Sequence, residues 1–386
     1  MNHCMQSDEI HQQSKAVRIM NKANFESPWV QTLCFILGFA LIWFRSYIKV
    51  PDTIGFQNEN LAIDAVYTWV NGGDSAWLAK KELAEKKYPM LSISKKANTG
   101  RYVDYGEMRY SLRSIEKFTP WVRKIFIVTA NQTIPYVNSS NPKIVYVDHS
   151  TIFPPTALPS FNSNAIEFSL SNIPGLSNQF LYLNDDTFFS RPLNKADFFG
   201  LNGEPKLYTK FRSWRNSESN YIDRRKDPNR NDSDRLQFNA AGFFTASIFR
   251  RLASIEPHDT NVHSIFPSSL QLMAKSIEVF GDYVNQTIHH QFRLSDDLQY
   301  QRSMIFTCLA HPKLCRRIRV GLFNRYSWVV NKQAVIGDVF KGMKKYSSDF
   351  MTLCINTGAE STDSYREKAQ KFLMNWLSET SEFEIK

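Results

Sequence analysis

The sequence predicts an α/β protein: a mostly parallel, Rossmann-like sheet with flanking helices, preceded by one N-terminal transmembrane helix. Three observations carry this prediction. Short apolar runs recur at 63–70, 125–129, 144–147 and 180–183. Segments with apolar residues at helical spacing separate them. One long apolar stretch, Trp29 to Ile48, stands apart near the start and carries no charge until Arg45.

Residues 1–28 read as a cytosolic tail and 29–48 as a membrane anchor, because 20 helical residues rise about 30 Å, the hydrocarbon thickness. Trp29, Trp43 and Tyr47 near the ends suit the membrane interface. A cleaved signal peptide fits less well, since the run starts late and no small-x-small site follows. Lys15, Arg18 and Lys22 before the span, against Arg45 and Lys49 after it, favour a cytosolic N-terminus and a body on the far side. Residues 49–60 are polar, with Pro51 and Gly55, and read as a stem.

The body, 61–386, opens on a strand ended by Asn71, Gly72 and Gly73. Residues 107–118 read as a helix: Met108, Leu112, Ile115 and Phe118 share one face, and Arg109 and Arg113 another. The runs 125–129 and 144–147 are typical of buried parallel strands. A helix over 164–171 precedes the run Phe180 to Leu183, which leads into Asn184, Asp185 and Asp186. The polar stretch 200–235, with nine basic and six acidic residues, reads as a surface insertion. Helices are expected over 269–280 and 364–378.

Composition narrows the function. The 386 residues are 42% hydrophobic and 22% charged, which excludes a disordered chain. Five cysteines without CxxC or Cys/His spacing exclude a disulfide scaffold and a structural zinc site. Cys308 and Cys315 can pair in an oxidising compartment. The net charge is +10, and residues 312–345 hold nine Lys/Arg against one acid, Asp338. Such a run suits an anionic partner or a plain solvated surface. No nucleic-acid motif accompanies it, so no nucleic-acid partner is expected. Sequons begin at Asn131, Asn138, Asn231 and Asn285, all in the body.

Ligands of parallel sheets bind beyond the carboxyl ends of the strands. Asn71 with Gly72, and Asn184 with Asp185 and Asp186, occupy such ends. Paired carboxylates there can hold a divalent ion on a diphosphate or accept a proton from an attacking hydroxyl. If strand geometry persists, Asp185 and Asp186 point to opposite sides and one faces the cleft. Arg293 offers a planar fork for phosphate oxygens, and His263 an acid or base near neutral pH.

These residues fall in longer blocks. The body resembles the Stealth family, which includes N-acetylglucosamine-1-phosphotransferase and bacterial capsule sugar-phosphate polymerases. The likeness lies in Ile63 to Gly72, in Glu107 to Asp186, in His263 through Phe292 and Arg293, and in Leu353 to Asn356. It implies a GT-A-like catalytic domain that transfers a sugar 1-phosphate from a nucleotide sugar, a UDP-sugar being expected, to a hydroxyl of a glycan or glycoprotein. It also implies a type II Golgi membrane protein with a luminal body. By the same resemblance Asp186, His263 and Arg293 are catalytic. Asp64, Asn71, Gly72, Glu107, Arg109, Arg113, Asn162, Asn164, Glu167 and Asn184 shape the donor site. Asp185 and Asp186 hold Mg²⁺ or Mn²⁺. The chain departs from the family pattern at Gly106 and Thr357, where acids are usual. A metal-dependent glycosyltransferase releasing UDP, and a catalytically silent carbohydrate-binding membrane protein, are the competing readings.

Overall fold

The computed structural model describes residues 60–87, 102, 104–215, 219, 234–320, 326–330, 350–355 and 362–385. The chain divides into two units, Met1–Gln57 and Asn58–Lys386. The first, with the expected anchor at 29–48, lies outside the described residues, as does Thr357. Among the described residues no helix is long and apolar enough to cross a membrane.

The second unit follows the predicted alternation. Strand β1 (Ile63–Thr68) is followed by helices α1 (Ser75–Glu85) and α2 (Glu107–Phe118), then β2 (Ile125–Thr129) and β3 (Ile144–Asp148). Helix α3 (Ser163–Ser169) leads to β4 (Gln179–Asn184) and β5 (Thr187–Phe189). After β6 (Lys206–Ser213) come α4 (Asp234–Ala253), β7 (His258–Asn261), β8 (Phe266–Ser269), α5 (Leu270–Phe280), α6 (Asp282–His289) and α7 (Tyr300–Ala310). The chain then forms β9 (Arg316–Arg319), β10 (Ser327–Val330), β11 (Thr352–Ile355) and α8 (Asp363–Trp376).

The main sheet runs β3-β2-β1-β4-β8. Its first four strands are parallel, and β8 closes one edge antiparallel to β4. Every residue of β2 is buried, as expected of a strand covered on both faces. The core extends from these strands through Trp214, Phe249, Tyr300 and Phe306 of the following elements.

Two small sheets flank this frame: β10-β11-β5 and β7-β6-β9. The stretch 200–235 is therefore not wholly a surface insertion. Lys206–Ser213 is the central strand of the second small sheet, with Leu207 and Thr209 fully buried. Part of the basic run is likewise structural. Arg317 and Arg319 of β9 both pair with the buried carboxylate of Asp259, at 2.8 and 3.0 Å. Cys308 at the end of α7 is disulfide-bonded to Cys315.

Candidate functional site

A cavity of about 760 Å³ opens at the carboxyl edge of the main sheet. Thr68, Trp69 and Val70 after β1, Val128 and Ala130 at β2, His149 after β3, and Asn184, Asp185 and Asp186 after β4 form its floor. Its walls come from α3, the β7 side and the segment 293–302. Asp186, His263 and Arg293, far apart in sequence, all line it. So do Glu107, Asn164, Glu167, Asn184 and Asp185.

The chain turns sharply between β4 and β5, so strand alternation ends at Asn184. Both Asp185 and Asp186 therefore face the cavity, rather than only one of them. Burial, then repulsion from Glu107, Asp186 and Asp104, pushes the Asp185 carboxyl well above its ordinary range. Such a crowd of carboxylates calls for positive charge. Its oxygens suit a hard divalent cation, so the residues present fit Mg²⁺ or Mn²⁺.

Asp186 has one carboxylate oxygen, Oδ1, buried without a hydrogen-bond partner. The Cys354 thiol of β11 donates to its other oxygen at 3.5 Å. Ligand atoms of Asp186, His263 and Cys354 lie within 4.8 Å of one another. Burial, reinforced by Asp186, pushes the thiol pKa well up, so without a bound metal the thiol stays protonated and donates to Asp186. Cys354 thereby fixes the Asp186 carboxylate beside His263, and the fourth block of the resemblance acquires a physical role.

Glu167 stands on α3. Burial lifts its carboxyl to about 7 against the opposing charge of Arg293 and a hydrogen bond from Tyr182. The Tyr182 hydroxyl lies 3.2 Å from Glu167 Oε1 and 3.1 Å from Thr68 Oγ1. Arg293 donates through Nε and Nη2 to Ser163 Oγ at the start of the same helix. Its loop is held by the buried Asp297, which accepts from Asn162 Nδ2 at 2.8 Å, from Asn164 Nδ2 at 3.2 Å and from the Leu294 amide at 3.0 Å. The other oxygen of Asp297 meets His290 Nδ1 at 2.7 Å.

Six residues expected at the donor site lie off the cavity wall. Asp64 sits at the amino end of β1, fully buried. Its carboxylate accepts from Arg123 at 2.9 and 2.6 Å, from the Lys124 amide at 3.2 Å and from the Ser177 amide at 2.7 Å. The strand carries it roughly 13 Å from the rim at about 3.3 Å per residue. Arg109 and Arg113 turn to the C-terminal segment, where Glu384 accepts from them at 2.8 and 2.7 Å. Asn162 caps α3 through the Asn164 amide and is fully buried. Asn71 exchanges two hydrogen bonds with Gln132, at 3.1 and 2.9 Å. Gly72 is pressed against Tyr102, where a Cβ would lie 2.4 Å from the Tyr102 Cβ. Asn71 and Gly72 thus brace the rim without lining it.

The sequence reading missed several lining residues. Trp77, Tyr102 and Phe161 build an aromatic wall, with Trp77 ring centroids 5.0 Å from Tyr102 and 5.3 Å from Phe161. Arg212, Arg302 and His149 also face the cavity. Burial lowers the His149 pKa to about 4, so its imidazole is neutral at physiological pH. Isolated aromatics and arginines carry no spacing signal that separates a cavity wall from a core. At Gly106, one of the two departures, the backbone is left-handed with φ 80°, a conformation that favours glycine. Its amide donates to Asp104 at 2.8 Å, which brings that acid towards Asp185.

Fold and cavity together define an α/β protein whose carboxylates, imidazole and guanidinium groups meet at the rim of a parallel sheet. Residues 62–89 match Stealth protein conserved region 1, and residues 101–207 match Stealth protein conserved region 2. The chain belongs to the Stealth family. It is 30% identical over 348 residues to the capsular polysaccharide phosphotransferase SacB of Neisseria meningitidis serogroup A, covering 88% of this chain and 60% of that one. A capsular polysaccharide phosphotransferase of Haemophilus influenzae is 34% identical over 244 residues, 63% of this chain and 64% of that one. An exopolysaccharide phosphotransferase of Streptomyces coelicolor is 45% identical over 160 residues, 41% of this chain and 26% of that one. The chain therefore spans between 26% and 64% of the length of these relatives.

Proposed function

We propose that this protein transfers a sugar 1-phosphate from a nucleotide sugar, a UDP-sugar being the expected donor, to a hydroxyl of a glycan or glycoprotein. The observation that carries the reading is the meeting of Asp186, His263 and Arg293 in one cavity. The relatives' names as phosphotransferases support it. The acceptor oxygen attacks the phosphorus that bears the sugar. A new phosphorus–oxygen bond forms, the bond to the bridging oxygen breaks, and UMP leaves with that oxygen. The acceptor proton passes to the Asp186–His263 pair. Arg293 holds the charge developing on the phosphoryl oxygens. Mg²⁺ or Mn²⁺, held by Asp185 and Asp186, would neutralise the diphosphate.

The anchor at 29–48, a cytosolic tail and a luminal, Golgi-resident body complete the proposal. The Cys308–Cys315 bond and the exposed Asn131 and Asn285 of two sequons fit an oxidising, glycosylating lumen. The full chain, incubated with a panel of nucleotide sugars and glycan acceptors, tests the reaction through the mass of the released nucleotide. UMP supports it. UDP would instead mean plain sugar transfer by the Asp185–Asp186 carboxylates, and no release from any donor would leave a binding protein. Asp186→Asn is expected to slow turnover by roughly 10²–10⁴-fold, the scale of a lost proton acceptor, while the thermal midpoint stays near wild type.

A further inference from the structure

We propose that Arg302, backed by Arg212, is a second phosphate-binding point in the cavity, distinct from Arg293. It would take either the other phosphate of the donor or a phosphate already carried by the acceptor. The inference rests on the phosphoryl-transfer reading above and deepens it.

Arg302 lies in the first turn of α7 and is only 8% exposed. Its Nε donates to Thr260 Oγ1 at 3.3 Å, but Nη1 is buried with no hydrogen-bond partner. Among the described residues no carboxylate pairs with it. A buried charge without an opposite charge destabilises the fold that holds it, because desolvation is not repaid. Burial and the neighbouring charge of Arg212 lower its pKa to about 9, which still leaves it cationic at neutral pH. Arg302 thus lines the cavity at a cost to the empty fold, with Arg212 lining the same cavity beside it. An anion entering the cavity removes that cost.

The surroundings are built to hold this guanidinium in place. It lies 5.1 Å from the Trp214 ring centroid and 5.5 Å from that of Phe238. Gly242 of α4 leaves the necessary room, since a Cβ there would lie 2.5 Å from Nη1. Arg212, from the central strand β6, lies 4.2 Å over the same Trp214 ring. Arg293 lies 5.1 Å from the Phe238 ring, so Arg293 and Arg302 share one aromatic neighbour. Two forked cations around one ring match two adjacent phosphoryl groups.

Inorganic pyrophosphate is the probe, and thermal unfolding of the full chain reads its binding without turnover. Pyrophosphate is expected to raise the wild-type midpoint saturably. Arg302→Met keeps the apolar stem and removes the buried charge. Its midpoint without ligand should equal or exceed wild type, while its pyrophosphate affinity falls at least tenfold. Arg302→Lys should fall between the two, keeping charge but losing the fork. Should Arg302→Met fail to fold, the half-buried Arg212→Gln decides, with an expected several-fold loss. Initial rates then name the source: a raised donor KM marks a donor phosphate, and a raised acceptor KM an acceptor phosphate. Pyrophosphate affinity at the wild-type level in both Arg302→Met and Arg212→Gln would overturn the proposal, even with UMP release intact. Absence of UMP release with pyrophosphate binding still dependent on Arg302 would overturn the reaction instead and leave the anion site standing.

Discussion

At the scale of single residues, the cavity is governed by charges held against their preference. Asp185 is the sharpest case, since burial and three acidic neighbours favour its protonated form. Asp185→Asn is expected to raise the thermal midpoint at pH 7 in metal-free buffer and to abolish the further rise that Mg²⁺ gives the wild type. A magnesium response unchanged in the variant would remove Asp185 from the metal site. Glu167 yields a pH signature. Its carboxyl moves from an ordinary value of 4.5 to about 7 in the fold. The folded state therefore holds the proton more tightly. The stability this gives is fully present below pH 4.5 and is lost as pH rises through 7. Glu167→Gln keeps a group that can bond Tyr182 and should flatten that decline, as midpoints measured from pH 4.5 to 8 will show. Asp186, His263 and Arg293 were legible in the sequence because each sits in a block with a recognisable pattern. Arg302 and Trp77 were not, because their meaning depends on what the fold sets against them.

At the scale of elements, helix α2 shows where periodicity informs and where it stops. Its bounds and buried face match the spacing of Met108, Leu112, Ile115 and Phe118. The opposite face was expected to meet the donor. Instead Arg109 and Arg113 grip Glu384, whose side chain is wholly buried. A sequence shows that two arginines share a face but not which distant segment arrives there. Removing one partner of a buried ion pair costs about 3 kcal/mol. Glu384→Ala should lower the denaturation midpoint accordingly, and Arg113→Gln should do likewise with an unchanged donor KM. A raised KM in Arg113→Gln would return that arginine to the donor site. The strands of the main sheet were visible as apolar runs. The small sheet around β6 was hidden, because Lys206–Ser213 is polar on one side and reads as surface.

At the scale of the whole molecule, four parallel strands bring their carboxyl ends to one rim, and a flanking sheet supplies the opposite wall. The rim was legible from strand order and from the polar residues that follow each run. The opposite wall was not, because β6, β7 and α7 enter it from segments with no common pattern. Depth in the sheet also separates residues that the sequence places together. Asp64 and Asn71 belong to one block, yet one lies at the foot of β1 and the other just past its top.

The clasp at that foot has a consequence of its own. Asp64 ties together the loops that launch β2 and β4, so three neighbouring strands are pinned where no substrate reaches, like fan ribs riveted at the handle. The far edge can then carry loose, polar, chemically varied loops without the ribs drifting apart. Asp64→Ala leaves two backbone amides and Arg123 without their acceptor, a loss of about 2–4 kcal/mol. Urea unfolding should register it as a lowered midpoint. Turnover per folded molecule should survive, because the rivet holds the tool and never touches the work.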